Sequence, residues 1–266
     1  MIILKSRDEL EVMRRGGRIV ARVLDELRSR VRPGVETREL DAFADAMARE
    51  MGGVPAFKGY HGYPASLCVS VNEEVIHGIP SIRRLREGDI VSLDFGVICD
   101  GFYSDAAVTL PVGEVAPEAA RLIAGAERAF AAGLAEVRDG GRLSDISSAV
   151  ERSVTDEGFA VIRQFVGHGI GRDLHEEPQV PNFGLPGRGP RLRPGLTLAI
   201  EPMIAQGGWE VEILADGWTA VTRDRRLAAH FEHTVALTEE GAEILSAPDG
   251  RRRPEVAPRE KERPHA

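Results

Sequence analysis

The 266-residue sequence predicts an α+β fold made of two αα-β halves related by a pseudo-twofold axis. Two observations predict it. Hydrophobic periodicity runs helix, helix, strands, and then helix, helix, strands again. Three stretches of the first half also recur in the second at nearly one offset. "VRPGVETREL" at 31 resembles "VRDGGRLSDI" at 137, an offset of 106. "YHGYP" and "GHGIG" set His61-Gly62 on His168-Gly169, an offset of 107. "LREGDIVSLD" at 85 matches "LRPGLTLAIE" at 192, again 107, which sets Asp94 on Glu201.

Local signals justify each element in turn. Ser6 and Glu9 form an S-x-x-E capping box, so an amphipathic helix starts there and runs to about Val31, where Pro33-Gly34 stops it. A second helix runs from about Arg38 to Met51 and ends at Gly52-Gly53. Strand-like runs fill residues 66 to 110. A third helix starts near Pro117 and ends before Gly140-Gly141. A fourth runs from about Ser144 to Glu157, ends at Gly158, and gives way to strand-like runs as far as Leu237. Residues 1–248 read as a single domain, and residues 249–266 as a disordered tail rich in proline and charge.

The stretch "LDFGVICDGFYSD", residues 93 to 105, carries the first chemical signal. Asp100-Gly101 marks a two-residue hairpin turn. Residue 99 then faces 102, Asp94 lies opposite Ala107, and Asp105 lies opposite Gly96. Alternation puts Asp94 and Asp105 on one face, a diagonal step of roughly 7 Å apart. The other face, Val91, Leu93, Phe95 and Val97, is core. Two carboxylates sharing a buried site repel unless a proton or a cation sits between them, and the hairpin alone leaves both open.

Composition limits the rest. A hydrophobic content of 42% supports a proper core. The net charge is −8, and the tail holds six basic and four acidic side chains, so the body carries −10. That argues against a nucleic-acid surface. The N-terminus "MIILKSRDELEVMRRGG" has too short an apolar run for a signal peptide, and no stretch approaches the roughly 20 apolar residues of a membrane span. Cys68 and Cys99 lack CxxC spacing, which argues against a disulfide framework or cysteine zinc site. The expectation is a soluble cytoplasmic protein.

The second half supplies further candidates. Glu201 follows the apolar run "LTLAI", as Asp94 ends one in the first half. Glu232 in "HFEHTVAL" is the counterpart of Asp105, and His168 lies in "GHGIG", where glycines allow close backbone approach. Four carboxylates and one imidazole suit Mn, Fe or Co(II) better than a structural zinc. So many carboxylates fit two ions about 3.5–4 Å apart, bridged by carboxylates and by a water made acidic enough to attack.

The motifs "LDFGVICDGFYSD", "GHGIGRDLHEEP", "AIEPM" and "FEHTVALT" resemble those of the methionine aminopeptidases of the type I, bacterial kind, in peptidase family M24. The resemblance covers residues 3 to 247. It implies the pita-bread fold, with a curved antiparallel central sheet, and removal of initiator methionine from nascent, deformylated polypeptide N-termini when the second residue is small. It implies two divalent ions (Mn, Fe, Co or Zn). Asp94 would chelate one, Asp105 and Glu232 would bridge both, and His168 and Glu201 would complete the second. A bridging hydroxide would attack the first peptide bond, with Glu201 as proton acceptor. His77 in "VIHGIP" and His175 in "DLHEEP" match histidines near the scissile bond: His175 would stabilise the tetrahedral intermediate and His77 would contact the substrate backbone. Tyr60, Tyr63, Cys68 and Trp218 match the apolar methionine pocket, although Cys68 also reads as plain core. Phe57 and Leu174 depart from the pattern, Phe57 standing where a small residue or cysteine is expected and Leu174 where a phenylalanine is common. His61 reads as structural, Cys99 as inert, and neither His230 nor His233 as a metal ligand, although His230 shares the face of Glu232. The ribosome is a possible partner through Arg251, Arg252 and Arg253; no nucleic acid or membrane partner is expected.

Three rivals fare worse. Proline-specific peptidases of this fold carry an added N-terminal domain, and only 93 residues precede Asp94. A type II methionine aminopeptidase would need a helical insert between His168 and Glu201, which are 33 residues apart. A non-catalytic binding protein on this fold would show a broken ligand set, and this set is whole.

Overall fold

A computed structural model describes residues 1–247. The tail expected to be disordered, 249–266, lies outside the described residues.

The first half comprises helices α1 (Arg7–Arg28) and α2 (Thr37–Glu50), followed by strands β1 (Val54–Pro55), β2 (Leu67–Val71), β3 (Glu74–Ile76), β4 (Ile90–Cys99) and β5 (Phe102–Pro111). The second half opens with α3 (Pro117–Ala135) and α4 (Leu143–Asp156), then β6 (Ala160–Val161), β7 (Gly167–Gly169), β8 (Glu176–Val180) and β9 (Thr197–Ile200). It continues with β10 (Met203–Ala205), β11 (Val211–Ile213), β12 (Ala220–Thr222), β13 (Ala228–His230), β14 (Glu232–Thr238) and β15 (Gly241–Ile244).

The capping box forms as the motif predicts: Glu9 N–H donates to the Ser6 hydroxyl, and Ser6 N–H to the Glu9 carboxylate. α1 ends at Arg28, three residues short of Val31, because Arg30 and Val31 both turn back onto the Leu27 carbonyl. α3 ends at Ala135, where Glu136 and Val137 switch to tighter bonds onto Gly133 and Leu134. The apolar stripe of α1 (Val20, Val23, Leu27) and that of α2 (Leu40, Ala44) bury against Val91, Leu93, Phe95 and Val97, the face of β4 expected to be core. Phe130 of α3 and Ile146 of α4 do the same against Leu198 and Ile200 of β9.

The central sheet has nine strands in the order β1-β4-β5-β14-β9-β7-β8, with β2 also paired to β4 and β15 to β14. Its pairs are antiparallel. The halves meet at β5 and β14, and β4 and β9 flank that seam equivalently. The pseudo-twofold relation extends to single hydrogen bonds. Gly34 N–H donates to Leu85 O at 2.7 Å, and Gly140 N–H to Leu192 O at 3.0 Å. Arg84 and Arg191 each reach back to the carbonyl of the matching glycine, at 2.8 and 2.9 Å. These pairs sit at the offsets of 106 and 107 found in the sequence.

The β4-β5 hairpin turns on Asp100 (φ 47°) and Gly101 (φ 78°), both positive as a type I′ turn requires. Cys99 pairs with Phe102 and Asp94 with Ala107, the expected register. The strand-rich second half is less regular than its apolar runs suggest. Its strands after β8 are mostly three or four residues long. They are interrupted by segments such as "PNFGLPGRGP", in which Gly184, Gly187 and Gly189 all have positive φ.

Candidate active site

Antiparallel register builds an acidic row. Asp94 on β4 pairs with Ala107 on β5, and Ala107 pairs with Glu232 on β14. His233 pairs with Ile200 on β9, so the next step sets Glu201 beside Glu232. Directly paired residues share a face, so the row reads Asp94, Ala107, Glu232, Glu201. Asp105 lies on that face two residues from Ala107. The methyl group of Ala107 leaves the space into which the carboxylates point. His168 pairs with Ala199, two residues before Glu201, and so joins the same face. Asp94 sits in the middle of its strand rather than at its end, unlike Glu201.

Two threonines hold the seam behind this row. Thr234 Oγ1 accepts from Asp105 N–H at 2.9 Å and donates to Asp105 O at 2.8 Å. Thr109 Oγ1 accepts from His230 N–H at 2.9 Å and donates to His230 O at 2.8 Å. Between these clamps the backbone ladder of β5 and β14 covers only residues 106–107 and 232–233. Hydroxyls thus take over the ladder on either side of the carboxylates. Gly167 and Gly169 allow the close approach around His168: a Cβ on Gly169 would meet Glu177 O at 2.3 Å.

The electrostatics ask for a cation. Asp105, Glu201 and Glu232 are buried, and Asp94 is half-buried. Burial first, and then mutual repulsion, holds Asp105, Glu201 and Glu232 well above the usual carboxylate range. Burial pushes Asp94 up to about 7. Asp94 Oδ1, Asp105 Oδ1 and Glu232 Oε1 are buried with no hydrogen-bond partner, an arrangement that costs about 1–3 kcal/mol or more per group. His168 Nδ1–H donates to Gly169 O at 2.9 Å, so Nε2 turns its lone pair toward Glu201 Oε1 at 3.5 Å. Two acceptors face each other there, which only a proton or a metal resolves. One ligand atom from each of Asp105, His168 and Glu232 lies within 4.8 Å of the others, and ligands on opposite sides of one ion stand about 4–5 Å apart. The donor set fits divalent cations.

Every residue named from the sequence for this site lines one cavity of about 220 Å³. Its acidic end is the row just described. Its apolar end is Phe57, Tyr60, Tyr63, Cys68, Leu174 and Trp218. Tyr63 stands edge-on to Trp218 at 5.1 Å, and its hydroxyl donates to Gly78 O at 2.9 Å. Gly96 makes room for Phe57, whose ring carbon lies 2.7 Å from where a Cβ would be. Cys68 therefore belongs both to the core and to the cavity wall, and burial keeps its thiol protonated.

His77 and His175 stand at the junction of the two ends. His77 has φ 60°, a left-handed conformation costing about 1–3 kcal/mol. Burial lowers its pKa to about 4, so the ring is neutral. Burial, and then the nearby His61, lowers that of His175 as well. The His175 loop is tied down by the buried Lys5–Glu176 pair, and the Glu176 carboxylate also accepts from Arg172 N–H at 2.7 Å.

Two further histidines stand close to these residues. His61, expected to be structural, is exposed at the cavity mouth with φ 47°. His230, not expected to bind metal, is buried with neither ring nitrogen hydrogen-bonded. Its Nε2 lies 3.7 Å from Glu201 Oε2 and 3.9 Å from Glu232 Oε2. Period-two alternation gives the side it faces; the contact with Glu201 depends on β9 and is not legible in the sequence. His233 faces away, onto Ser246 Oγ at 2.9 Å.

Comparison with known proteins agrees with this geometry. The profile of metallopeptidase family M24 matches residues 11–239. The chain is 49% identical to methionine aminopeptidase 1 of Bacillus subtilis (strain 168) over 246 residues, 92% of this chain and 99% of that one. It is 51% identical to methionine aminopeptidase of Clostridium perfringens (strain 13 / Type A), with the same coverage. The crystal structure of methionine aminopeptidase from Thermotoga maritima superimposes with a TM-score of 0.92 at 46% identity, covering 93% of this chain and 100% of that one.

Proposed function

We infer that this chain, which belongs to metallopeptidase family M24, is a methionyl aminopeptidase of pita-bread fold that removes the initiator methionine from protein N-termini. One observation carries the reading: a single cavity joins a metal-ready acidic row to an apolar end of side-chain size. An N-terminal methionine fits both, its thioether among aromatic rings and its ammonium toward the carboxylates.

Asp94, Asp105, His168, Glu201 and Glu232 would hold two divalent ions, Mn, Fe, Co or Zn, with Asp105 and Glu232 serving both. When bound, such ions polarise the scissile carbonyl and make the attacking water more acidic. The chain's own residues do the rest. Tyr60, Tyr63, Cys68 and Trp218, with Phe57 and Leu174, hold the methionine side chain and exclude water. Glu201 takes up the proton of the attacking water. His175 donates to the carbonyl oxygen as its charge develops, and His77 orients the peptide. From the resemblance to methionine aminopeptidases, a small second residue is expected to be accepted more readily than a long one. No helix among the described residues is long and apolar enough to cross a membrane. We place the enzyme in the cytoplasm, acting on deformylated nascent chains near the ribosome.

The deciding experiment is metal-dependent hydrolysis of Met-Ala-Ser against Ala-Pro-Ser. Rapid release of methionine that stops with a chelator and returns with Mn(II) is expected, with little cleavage of Ala-Pro-Ser. Preference for Ala-Pro-Ser would reject the reading. Equal rates on Met-Ala-Ser and Met-Lys-Ser would reject the small second residue.

A further inference from the structure

Tyr60 does more than wall the apolar end. Its hydroxyl lies 2.7 Å from His175 Nδ1. A hydrogen bond at this nitrogen decides which ring nitrogen keeps the proton of the neutral imidazole. If the phenol donates to Nδ1, the proton sits on Nε2. If Nδ1–H donates to the phenol oxygen, Nε2 carries a lone pair instead.

Three observations favour the phenol as donor. Burial, then the nearby Tyr103 and Asp173, hold the Tyr60 phenol above its usual range, so it keeps its proton. The His175 ring packs against His168 with centroids 4.3 Å apart and lines the same cavity as four carboxylates. An oxygen that gains negative charge in that cavity calls for an N–H edge rather than a lone pair. Both partners are also braced. Tyr60 starts a short turn in which its N–H donates to Phe57 O and its carbonyl accepts from Tyr63 N–H, each at 2.9 Å. His175 is followed by Glu176, which the buried Lys5 holds.

We propose that Tyr60 is the positioning residue for His175: its hydroxyl donates to Nδ1 and fixes the ring in the Nε2–H form, presenting a donor to the substrate carbonyl. This rests on the reading of His175 as a donor to that oxygen. Without Tyr60 the ring divides between tautomers and rotations, and part of the population offers a lone pair to an oxygen that is becoming negative.

The test uses the enzyme loaded with diamagnetic Zn(II). Long-range proton–nitrogen NMR reports which histidine nitrogens carry protons, and His175→Gln identifies the His175 signals. The expected wild-type pattern is a protonated Nε2 and a bare Nδ1. Tyr60→Phe, which keeps the ring in the apolar wall, should mix the two forms. It should lower kcat about 10–100-fold, the usual effect of losing a partner that orients a site histidine, with KM and Zn(II) affinity nearly unchanged. A wild-type ring protonated on Nδ1 would overturn the proposal. So would a Tyr60→Phe variant with unaltered tautomer and kcat, or one whose Zn(II) affinity falls in step with kcat. Full activity of His175→Ala would overturn the donor reading beneath it, and that outcome does not depend on the ring spectra.

Discussion

Replacing Asp105 by Asn keeps the size of the side chain and removes its charge. Its Oδ1 is buried without a partner, and Thr234 clamps its backbone, so the amide would stand in the same place. An amide cannot serve two cations as a carboxylate can. We expect Asp105→Asn to lose more than about 100-fold in turnover, beyond the loss of an outer-shell partner. Turnover at saturating Mn(II) within a few-fold of the parent would remove the shared-ligand role. The metal-free variant should melt above the metal-free parent at pH 8, because one of four crowded charges is gone. His175 predicts a different pattern. Alanine there should lower kcat and kcat/KM together by about 10²–10³-fold while calorimetry finds Mn(II) affinity nearly intact. Affinity lost in proportion to activity would make His175 a ligand or its support. At this scale the sequence is most informative where short-range rules apply. The facing of Asp94 and Asp105 follows from the Asp100-Gly101 turn, since a two-residue loop leaves one register. The pocket residues come from resemblance. The orphaned ring of His230 and the exposed ring of His61 depend on what packs around them from distant elements, which no local pattern encodes.

The seam between β5 and β14 is the element on which the site's geometry depends. Its backbone ladder is short, and Thr109 and Thr234 extend it with side chains. Thr234→Val keeps the shape but leaves Asp105 N–H and C=O without that partner. The expected cost is about 1–3 kcal/mol, read as a lower midpoint in urea with unchanged slope, together with weaker Mn(II) binding because Asp105 loses its anchor. A midpoint within error of the parent would show that the ladder closes without the hydroxyl. Neither threonine stands out in the sequence, because a threonine in a β-rich run reads as ordinary strand composition. The helices are legible to within about four residues, since Ser6 and Pro117 are local starts and the glycines after each helix are local stops. The short strands β10 to β13 are not, because their pairing partners lie far along the chain and their apolar runs are too short to carry a period.

The whole molecule divides its site between its halves. Asp94 and Asp105 come from the first, and His168, Glu201 and Glu232 from the second, so metal held as proposed would brace the two together across β5 and β14. The duplication that predicts this is legible as three repeated stretches, and the paired clasps at Gly34–Leu85 and Gly140–Leu192 are its structural counterpart. The charges at the seam give metal removal a definite pH dependence. Burial raises Asp94 from an ordinary 3.8 to about 7 in the folded chain, and Asp105, Glu201 and Glu232 are raised too. A carboxyl whose folded pKa exceeds its unfolded one binds its proton more tightly in the folded state, so its contribution is present below the unfolded value and is lost as pH rises through the folded value. The metal-free protein should therefore become less stable from about pH 4 to pH 7 and above. Divalent metal works in the opposite sense, since its ligands must be deprotonated and its affinity grows with pH. Melting with Mn(II) and with a chelator, at pH 5 and pH 8, should show the gap between the two widen at pH 8. In a chain of this size each 2 kcal/mol moves Tm by roughly 4–8 °C, well within detection. A gap of equal size at both pH values would mean that metal binding releases no protons in this range, so that the four carboxylates are already ionised in the metal-free fold at pH 5 and burial does not hold their protons.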